Sequence, residues 1–305
     1  MTSDSNKKST DPETKASKTI VVKLGGSTLQ VDANMKALTK QIAELAKQGH
    51  HIIVVHGGGP HITTALKEQG VNSTFIEGLR VTDENTLMAV YAGLGHVNSA
   101  IVQELTNLGV EANALHGEPS LFKCEKRLAG KDGQTDLGWV GDIKSTNVKS
   151  IALTGGAVSV ISPIGWDGDR NRYNINADHA AFAVAIEVPA DSLIFVSDVP
   201  GVMVKDGNAT TVLSTLDKAK IETLIEDGTV SCGMIPKLLS CVAAVEAGVQ
   251  SVSIINGNSP TSLLDCINGG ADSGTTVTGA QQKQAGNDEQ RAKEASKAAT
   301  KVAAK

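Results

Sequence analysis

Short apolar runs alternate with amphipathic segments along most of the chain. The runs Thr19–Leu24 and 52–55 are rich in β-branched residues, which predicts two buried strands. Between them, apolar residues recur at helical spacing and stop at Gly49, so a helix is expected there. The apolar positions that define this helix are Leu38, Ile42 and Leu45.

The longest helical pattern covers residues 84–108. Asp83 precedes it and is a favourable N-cap, and Gly109 follows at a position where helices often end. The pattern therefore predicts one long helix with an apolar face. The side chains expected to face inward are Leu87, Val90, Tyr91, Leu94, Val97, Ile101, Leu105 and Leu108.

The second half of the chain continues this alternation of strands and helices. Strands are predicted at Ala112–Leu115, 120–123, 138–143, Val158–Ile161, 192–196 and 251–255, the second and third of these as a hairpin. Helices are predicted at Ala177–Glu187, 216–226 and 234–247. Such alternation is typical of an α/β fold in which helices cover both faces of a mostly parallel sheet. Ligands of these sheets bind beyond the carboxyl ends of the strands, where the glycine clusters of this chain fall.

Composition narrows the possible functions. A chain of 305 residues with 40% hydrophobic content can bury one large core or two lobes, and with only 3% aromatics that core must be aliphatic. The net charge of −5 comes without a basic stripe, which argues against nucleic-acid binding. No run approaches the roughly 18 apolar residues of a membrane span.

The two ends and the cysteines indicate a cytoplasmic protein. Residues 1–18 are polar, with no apolar segment of a secretory signal, and they and residues 279–305 are predicted to be disordered tails. The cysteines lack the paired spacing of a metal site, so reduced thiols are expected. They are Cys124, Cys232, Cys241 and Cys266.

Glycine clusters follow the first two predicted strands. Lys23 leaves the first strand beside two glycines, so its ammonium group and the nearby amides can bind a phosphate, although a plain strand-end turn is the alternative. Three glycines precede Pro60 after the second strand, which favours an anion site at a helix N-terminus over a simple turn. His56 is expected to be a structural hydrogen-bonding residue. The candidate residues of these loops are Lys23, Gly25, Gly26, Gly58 and Gly59.

Polar residues also precede two of the predicted helices. Arg80 can clamp a carboxylate through two parallel hydrogen bonds, or it can be a surface arginine paired with an acid. Asn174, Asn176 and Asp178 stand before and in the first turn of a very apolar helix, which suggests a polar site set in the core. Stabilisation of the helix dipole is the simpler explanation for Asp178.

A third group of candidates lies in the last third of the chain. One set ends a predicted strand and consists of Ser197, Asp198 and Gly201; another opens a predicted helix and consists of Gly233, Met234 and Lys237. A lysine in the first turn of a helix opposes the helix dipole, and a bound phosphate would explain it. A solvated lysine is the alternative.

Six segments together carry a resemblance to a known family: KLGG (23–26), HGGGP (56–60), GLRVTD (78–83), YNINAD (173–178), SDVPGV (197–202) and GMIPK (233–237). Their order and spacing resemble the amino-acid kinase superfamily. The combination of the third and fourth segments is similar to the acetylglutamate kinases within it. The resemblance covers roughly residues 19–277.

This resemblance implies a fold and a reaction. The fold would be a three-layer α/β/α sandwich with a substrate-binding lobe at 19–190 and a nucleotide-binding lobe at 191–278. The reaction would transfer the γ-phosphoryl group of ATP to the side-chain carboxylate of N-acetyl-L-glutamate in arginine biosynthesis. Mg²⁺ would be bound through the nucleotide, with no metal site formed by the protein alone. A homodimer joined through the long helix is expected, with a hexamer as the alternative.

The resemblance also implies residue roles. Lys23 and Lys237 would stabilise the transferring phosphoryl group, and Asp178 would orient both lysines. Gly58, Gly59, Arg80 and Asn174 would bind the substrate. The phosphates and nucleotide would be held by Gly25, Gly26, Ser197, Asp198, Gly201, Gly233 and Met234. A carboxylate acceptor is already ionised at neutral pH, so no general base is required.

Two departures from the family pattern concern the substrate and its regulation. The segment 116–120 reads His-Gly-Glu-Pro-Ser where the family often has Ser-Gly-x-Asp-Gly, which leaves the substrate contacts there open. The residues before Gly274 and the polar N-terminus differ from those of arginine-sensitive hexamers. A feedback-insensitive dimer is therefore expected; arginine inhibition with a hexameric mass would contradict it.

Other activities remain as alternatives. A related kinase that acts on aminoadipate, free or carrier-linked, is the nearest, and the segment GLRVTD disfavours it. Carbamate and aspartate kinases are disfavoured by NINAD. A non-catalytic sensor of acetylglutamate or nucleotide is disfavoured because Lys23, Asp178 and Lys237 are all present.

Overall fold

The computed structural model describes residues 16–130, 133–152, 157–206, 209–230, 234–270 and 273–279. The predicted tails 1–18 and 279–305 lie outside these ranges except for residues 16–18 and 279. Cys232 and Gly233 also lie outside them. Helices and strands fill most of the described ranges.

The helices are α1 Gly26–Leu29, α2 Asp32–Lys47, α3 Gly59–Glu68, α4 Glu84–Asn107, α5 Val148–Ala152, α6 Ala177–Glu187, α7 Lys218–Glu226, α8 Ile235–Glu246 and α9 Ser262–Asn268. The strands are β1 Thr19–Leu24, β2 His51–His56, β3 Phe75–Ile76, β4 Leu79–Arg80, β5 Ala112–Leu115, β6 Phe122–Ala129, β7 Thr135–Thr146, β8 Val158–Ile161, β9 Ile164–Trp166, β10 Arg172–Asn174, β11 Ser192–Ser197, β12 Met203–Asp206, β13 Ala209–Val212, β14 Thr215–Leu216, β15 Ser251–Asn256 and β16 Thr275–Thr278.

One eight-stranded sheet organises the molecule, in the order β14-β16-β15-β11-β1-β2-β8-β5. The six strands from β15 to β5 pair in parallel, whereas β16 runs antiparallel to β15 and parallel to β14. Helices cover both faces, which confirms the predicted three-layer α/β/α sandwich. The lobe boundaries predicted from the sequence stay a prediction.

Strand β1 shows why there are two helical layers. Its side chains alternate between the faces of the sheet, as in any strand. Ile20, Val22 and Leu24 join the apolar cluster that contains α2 and the second half of α4. Val21 points to the other face and joins the cluster that contains α6 and α8. Lys23 has the same parity as Val21, so its side chain leaves the sheet on the α6 side.

A small barrel of β6, β7, β9 and β10 is attached to this sandwich. Strands β6 and β7 form the antiparallel hairpin that the sequence predicts, but β6 begins at Phe122 and continues to Ala129. Closure of the barrel requires a glycine at 165, since a Cβ there would lie 2.1 Å from Cys124 Sγ. The barrel carries Asn174 at the end of β10.

Most predicted helices and strands are present, with shifts at their ends. The helix expected at 216–226 starts at Lys218 because Leu216 belongs to β14 and Asp217 accepts a hydrogen bond from the Lys220 amide as N-cap. The helix expected at 234–247 is α8, and Met234 is its N-cap. The N-cap role of Asp83 is confirmed, since its carboxylate accepts from the Thr86 amide.

Two further findings concern the cysteines and the helix lengths. Cys124, Cys241 and Cys266 are free thiols, and burial raises the pKa of Cys124 and of Cys241 to about 12, so both thiols are poor nucleophiles. In the described ranges, no helix is both long and apolar enough to cross a membrane. The cytoplasmic location stays a prediction.

Candidate active site

Three strand ends meet at the carboxyl edge of the sheet and bring the two glycine clusters into contact. The Gly57 amide donates to the Leu24 carbonyl oxygen at 2.9 Å, and the Gly25 amide donates to the Val196 carbonyl oxygen at 3.2 Å. A Cβ on Gly26 would lie 2.9 Å from the Gly59 nitrogen. Glycine is therefore required at 26 by the close approach of the two backbones.

An ion pair lies beside this junction. Lys23 Nζ is 2.8 Å from Asp178 Oδ1, with side-chain exposures of 12% and 32%. Burial opposes ionisation of the Asp178 carboxyl, but the nearby ammonium groups of Lys23 and Lys237 outweigh it and hold the pKa of Asp178 below its ordinary value. Asp178 therefore stays charged at neutral pH and interacts with both lysines.

The position of Asp178 depends on the start of α6. Asn176 is the N-cap of this helix, and its Oδ1 accepts hydrogen bonds from the amides of Asp178 at 2.8 Å and His179 at 3.2 Å. This cap fixes the first turn of α6 next to β1. Two predicted polar residues thus have different tasks: Asn176 orients the helix, and Asp178 extends toward Lys23.

Lys237 approaches the same site from the first turn of α8. Its Nζ lies 5.8 Å from the centroid of the Phe195 ring, on strand β11. It borders a cavity of about 270 Å³, here called the Lys237 cavity. The lining residues are Glu77, Leu79, Arg127, Asn176, Asp178, His179, Phe195, Lys237 and Ser240.

A second cavity of about 150 Å³, the Arg80 cavity, adjoins the first. It is lined by all four residues predicted to bind substrate, which are Gly58, Gly59, Arg80 and Asn174. Leu79 and Asn176 line both cavities. The predicted substrate site therefore lies next to the cavity that Asp178 and Lys237 line.

Arg80 is held tightly against the glycine loop. Its Nη2 donates to the Gly59 carbonyl oxygen at 3.0 Å and to Thr63 Oγ1 at 2.8 Å, and its Nη1 donates to Ser73 Oγ. The guanidinium group also lies 4.7 Å from the centroid of the Phe75 ring. Burial lowers the pKa of Arg80. Three of the five N–H groups of the side chain are thus engaged, which leaves Nε and one hydrogen of Nη1 for a carboxylate.

A tight hairpin turn orients Arg80. The turn between β3 and β4 has positive φ at both central residues, 51° at Glu77 and 77° at Gly78. Such turns connect two short strands without splaying them. The sequence analysis missed this hairpin because each strand has only two residues.

Asn174 is oriented by a contact with the segment after Arg80. Its Nδ2 donates to Thr82 Oγ1 at 3.2 Å, and Thr82 Oγ1 in turn donates to the Arg80 carbonyl oxygen at 2.7 Å. Thr82 is buried, and its backbone pairs with that of Gly138 on β7. This chain of contacts links the two predicted substrate residues through a side chain that the sequence analysis did not single out.

Two of the residues predicted to hold a nucleotide border a third cavity. Gly201 and Met234 border a cavity of about 700 Å³, which is in the usual size range for small-molecule sites. Ser197 is the last residue of β11 and Asp198 follows it, and Ser197 Oγ donates to Asp198 Oδ1 at 3.2 Å. Gly233 lies outside the described residues.

Gly201 has a structural requirement of its own. Its φ is 147°, and a Cβ there would lie 2.5 Å from Thr275 Oγ1. That hydroxyl accepts from the Val202 amide at 2.8 Å and donates to the Leu213 carbonyl oxygen at 2.6 Å. Packing of the loop on β16 therefore accounts for this glycine without a ligand.

Two cavities adjoin the start of α8. Met234 lines the large cavity and Lys237 lines the Lys237 cavity, so both cavities reach the start of this helix. Among the described residues, no three His, Cys, Asp or Glu side chains converge on a metal-sized site.

A buried polar network supports the glycine loop from behind. His56 Nε2 lies 3.0 Å from Ser162 Oγ and 3.1 Å from Asn98 Nδ2, and His56 Nδ1 lies 3.1 Å from the Gly57 carbonyl oxygen. Burial lowers the pKa of His56 to about 4, so it is neutral at pH 7. This matches the structural role expected for His56.

The altered segment 116–120 contributes to the same network. His116 Nδ1 lies 2.9 Å from Ser162 Oγ, and its ring packs 4.3 Å from that of Tyr91. His116 is not among the residues that line the Arg80 cavity.

The sequence analysis missed three residues of the Lys237 cavity, which are Arg127, His179 and Glu77. Their pattern on the hairpin and helix gives no sign that they share a cavity with Asp178.

Comparison with known proteins identifies the family of the chain. The family model described as amino acid kinase family matches residues 18–256. The chain therefore belongs to the amino acid kinase family.

Its relatives define the branch of that family. An acetylglutamate kinase of Brachyspira hyodysenteriae is 39% identical over 81% of this chain and 86% of the relative. Another, from Cupriavidus metallidurans, is 42% identical over 81% of this chain and 82% of the relative. This similarity places the chain among the acetylglutamate kinases. The structure of N-acetylglutamate synthase from Neisseria gonorrhoeae has the same fold, with a TM-score of 0.74, 24% identity and coverage of 86% of this chain and 59% of that chain.

Proposed function

We propose that the chain transfers the γ-phosphoryl group of ATP to the side-chain carboxylate of N-acetyl-L-glutamate, an early step of arginine biosynthesis. The observation that carries this proposal is the Lys23–Asp178 ion pair, which lies where the glycine loops, the Arg80 cavity and the Lys237 cavity meet. The names of the curated relatives supply the substrate.

In this proposal the Arg80 cavity binds the acceptor. This cavity of about 150 Å³ is lined by Gly58, Gly59, Arg80 and Asn174. The remaining N–H groups of Arg80 would bind the α-carboxylate, and Asn174 Nδ2 would donate to the acetamido oxygen. The side-chain carboxylate would then extend toward the amides of Gly26, Gly58 and Gly59.

The two lysines would act on the phosphoryl group itself. A bond forms between a carboxylate oxygen and the γ-phosphorus, and the bond to the β,γ-bridging oxygen breaks, so that ADP leaves with the electron pair. Lys23 and Lys237 would stabilise the negative charge on the phosphoryl oxygens from two sides, which is the main form of catalysis in such transfers. Asp178 would keep both ammonium groups in place. The ionised acceptor requires no base.

The nucleotide would occupy the cavity of about 700 Å³ beside Gly201 and Met234, with its phosphates at the start of α8. No side chain caps this end of the helix among the described residues, so its amides are available to an anion. Mg²⁺ bound to the nucleotide would neutralise phosphate charge. Asp198 and Ser197 would face the nucleotide from the end of β11.

The assay that tests this function follows acyl-phosphate formation by trapping with hydroxylamine. We expect ATP-dependent turnover of N-acetyl-L-glutamate in preference to glutamate, aspartate and N-acetylaminoadipate. The Lys237→Ala variant should lose on the order of 10²–10³ in kcat, as when one preorganised donor is removed. Lys40→Ala, on the exposed side of α2, is the matched control and should keep full activity.

The other outcomes of this assay separate the alternatives. Turnover of N-acetylaminoadipate alone would keep the mechanism and replace the substrate. Stabilisation by N-acetylglutamate without release of ADP would indicate a sensor. Full activity of Lys237→Ala would contradict the role given to that lysine.

The same proposal includes a homodimer joined through α4. The support is the outer face of this helix, where Met88 is 69% exposed and is followed at helical spacing by the exposed residues Ala92, His96 and Ser99. A hexamer is the alternative assembly.

A cytoplasmic location is also part of the proposal, as for other enzymes of amino-acid biosynthesis.

A further inference from the structure

Arg127 reaches the Lys237 cavity from the hairpin of the barrel. The pairing of β6 with β7 is interrupted between Lys126 and Leu128, so Arg127 has no partner in the ladder. Irregularities of this kind turn a side chain away from its regular direction and are frequent beside active sites. Arg127 lines the same cavity as Asp178 and Lys237.

The contacts of Arg127 leave one of its donors without an acceptor. Nη1 donates to Asp142 Oδ1 at 2.7 Å, with side-chain exposures of 27% for Arg127 and 44% for Asp142. Nε is buried and has no hydrogen-bond partner. A buried N–H without an acceptor is unfavourable, and such groups in native structures often belong to a ligand site. Because Arg127 lines the Lys237 cavity, a small rotation of its side chain would bring this N–H to a phosphate oxygen bound there.

His179 also contacts the guanidinium group. Its Nδ1 lies 3.5 Å from Arg127 Nη1. Burial and the positive charge of Arg127 lower the pKa of His179, against the opposing effect of Asp142 and Asp178. A neutral imidazole can accept from Arg127, whereas a protonated one would repel it. Asp142 and His179 therefore hold Arg127 from two sides.

We propose that Arg127 is a third phosphate-binding cation of this enzyme, which donates to the transferring phosphoryl group through its free Nε–H, with Asp142 and His179 as its positioning residues. This inference rests on the proposed function. Phosphoryl transfer spreads negative charge over three equatorial oxygens, and Lys23 and Lys237 supply two cations. Because Asp178 partly neutralises Lys23, a third cation from the hairpin completes the charge balance.

Lys126, the residue before Arg127 on β6, provides the internal control. Lys126 pairs with Asp136 at 2.8 Å, and both side chains are largely in solvent, with exposures of 46% and 60%. The two ion pairs stand on the same two strands, but only that of Arg127 borders the cavity. A general stabilisation of the hairpin would involve both pairs, whereas phosphate binding involves Arg127 alone.

The test compares Arg127→Leu with Lys126→Leu in the full-length enzyme. We expect Arg127→Leu to lower kcat about 10- to 100-fold, less than the full effect of a preorganised donor because the guanidinium group is partly exposed. The KM for N-acetyl-L-glutamate and the Tm should change little. Lys126→Leu should match the wild type in all three. Guanidinium ion added to Arg127→Ala should restore part of the lost kcat, which a structural role would not predict.

A second measurement does not depend on turnover. Mg-ADP with aluminium fluoride mimics the phosphoryl group in transfer, and its stabilisation of the protein can be followed by the shift in Tm. Arg127→Leu should lose most of this shift and keep the smaller shift that Mg-ADP alone produces.

Several results would overturn the inference. Unchanged kcat in Arg127→Leu would do so, as would an equal loss in Lys126→Leu, or a loss with lower Tm that guanidinium does not reverse. A wild type inactive on N-acetyl-L-glutamate, with the aluminium fluoride shift still dependent on Arg127, would instead remove the proposed substrate and leave Arg127 as a phosphate ligand.

Discussion

Glycines of the two loops determine how closely the backbone segments after β1 and β2 approach each other. Gly26 lies against the loop after β2, where a Cβ would lie 2.9 Å from the Gly59 nitrogen, 3.0 Å from Pro60 Cδ and 3.2 Å from the Gly58 nitrogen. These are mainly backbone atoms, which cannot rotate away as the end of a long side chain can. At the scale of single residues, the absence of a side chain at 26 therefore matters as much as the presence of Lys23.

Replacement of Gly26 by alanine should separate the two loops. We expect Gly26→Ala to lower the free energy of unfolding by about 1–3 kcal/mol, as for other overpacked sites, and to lower kcat/KM because the amides move. Urea unfolding and the hydroxamate assay measure the two effects. Gly168→Ala is the control, since a Cβ there meets no atom within 4 Å. A Gly26→Ala enzyme with wild-type stability and activity would show that the loops can move apart freely.

The helices differ in how they contribute to the site. Helix α6 presents Asp178 because Asn176 caps its first turn, and α8 presents Lys237 from an end without a side-chain cap in the described chain. Helix α4 instead packs one face on the sheet and leaves the other face exposed. Met88 lies on this exposed face. The proposed dimer would place this outer face against the same face of another copy of the chain.

Charge on the outer face of α4 should therefore separate the proposed dimer. We expect the Met88→Glu, Ala92→Glu double variant to elute as a monomer in size-exclusion chromatography with light scattering, since like charges would face each other across a two-fold axis. Val31→Glu is the control. Val31 is another exposed apolar residue, with 50% exposure, and it lies outside α4, so this variant should leave the mass unchanged. A dimeric double variant would place the interface elsewhere.

Prediction of these elements from the sequence succeeded where burial was regular. The limits of β1, β8 and α6 were correct because β1 and β8 are mostly buried runs and α6 starts at a clear cap. The strands of two or three residues were missed, which are β3, β4, β9, β10 and β14. Segments this short show no periodicity, and their pairing depends on partners distant in sequence.

At the scale of the whole molecule, buried polar residues connect three elements behind the site. His56, Asn98 and Ser162 come from β2, α4 and the end of β8, and they bond to one another within 3.2 Å. His56 is completely buried, and its neutral form satisfies these bonds. Protonation would place a charge in the core, so the network connects global stability to pH.

Acid should destabilise the fold through His56. Burial lowers the pKa of His56 from 6.5 to about 4. Below its ordinary pKa the unfolded chain binds a proton that the folded chain does not, so the free energy of unfolding falls as pH drops toward 4. The loss from this group should be about 3 kcal/mol. Urea unfolding at a series of pH values should show a shallower pH dependence for His56→Asn than for the wild type.

His51→Asn is the control for this experiment, because His51 is the exposed first residue of the same strand. The other histidines are present in both variants, so their effects cancel in the comparison. Equal pH dependence of the two variants would mean that His56 is not the group responsible.

The sequence by itself determined the layers, the approximate elements and the family of this protein. Periodicity is local, and the glycine loops and caps are short-range features, so they can be recognised without the fold. The individual residues Lys23, Arg80, Asp178 and Lys237 were likewise identified from short segments of the chain.

Only the tertiary structure decided which residues share a site. Lys23 and Asp178 are 155 positions apart, and they meet because the parity of β1 directs Lys23 toward the first turn of α6. Arg127 was missed because its direction depends on an interruption in strand pairing, and His116 because its partner Ser162 lies on another strand end. Side-chain direction and long-range pairing arise only when the elements pack, and local patterns do not encode them.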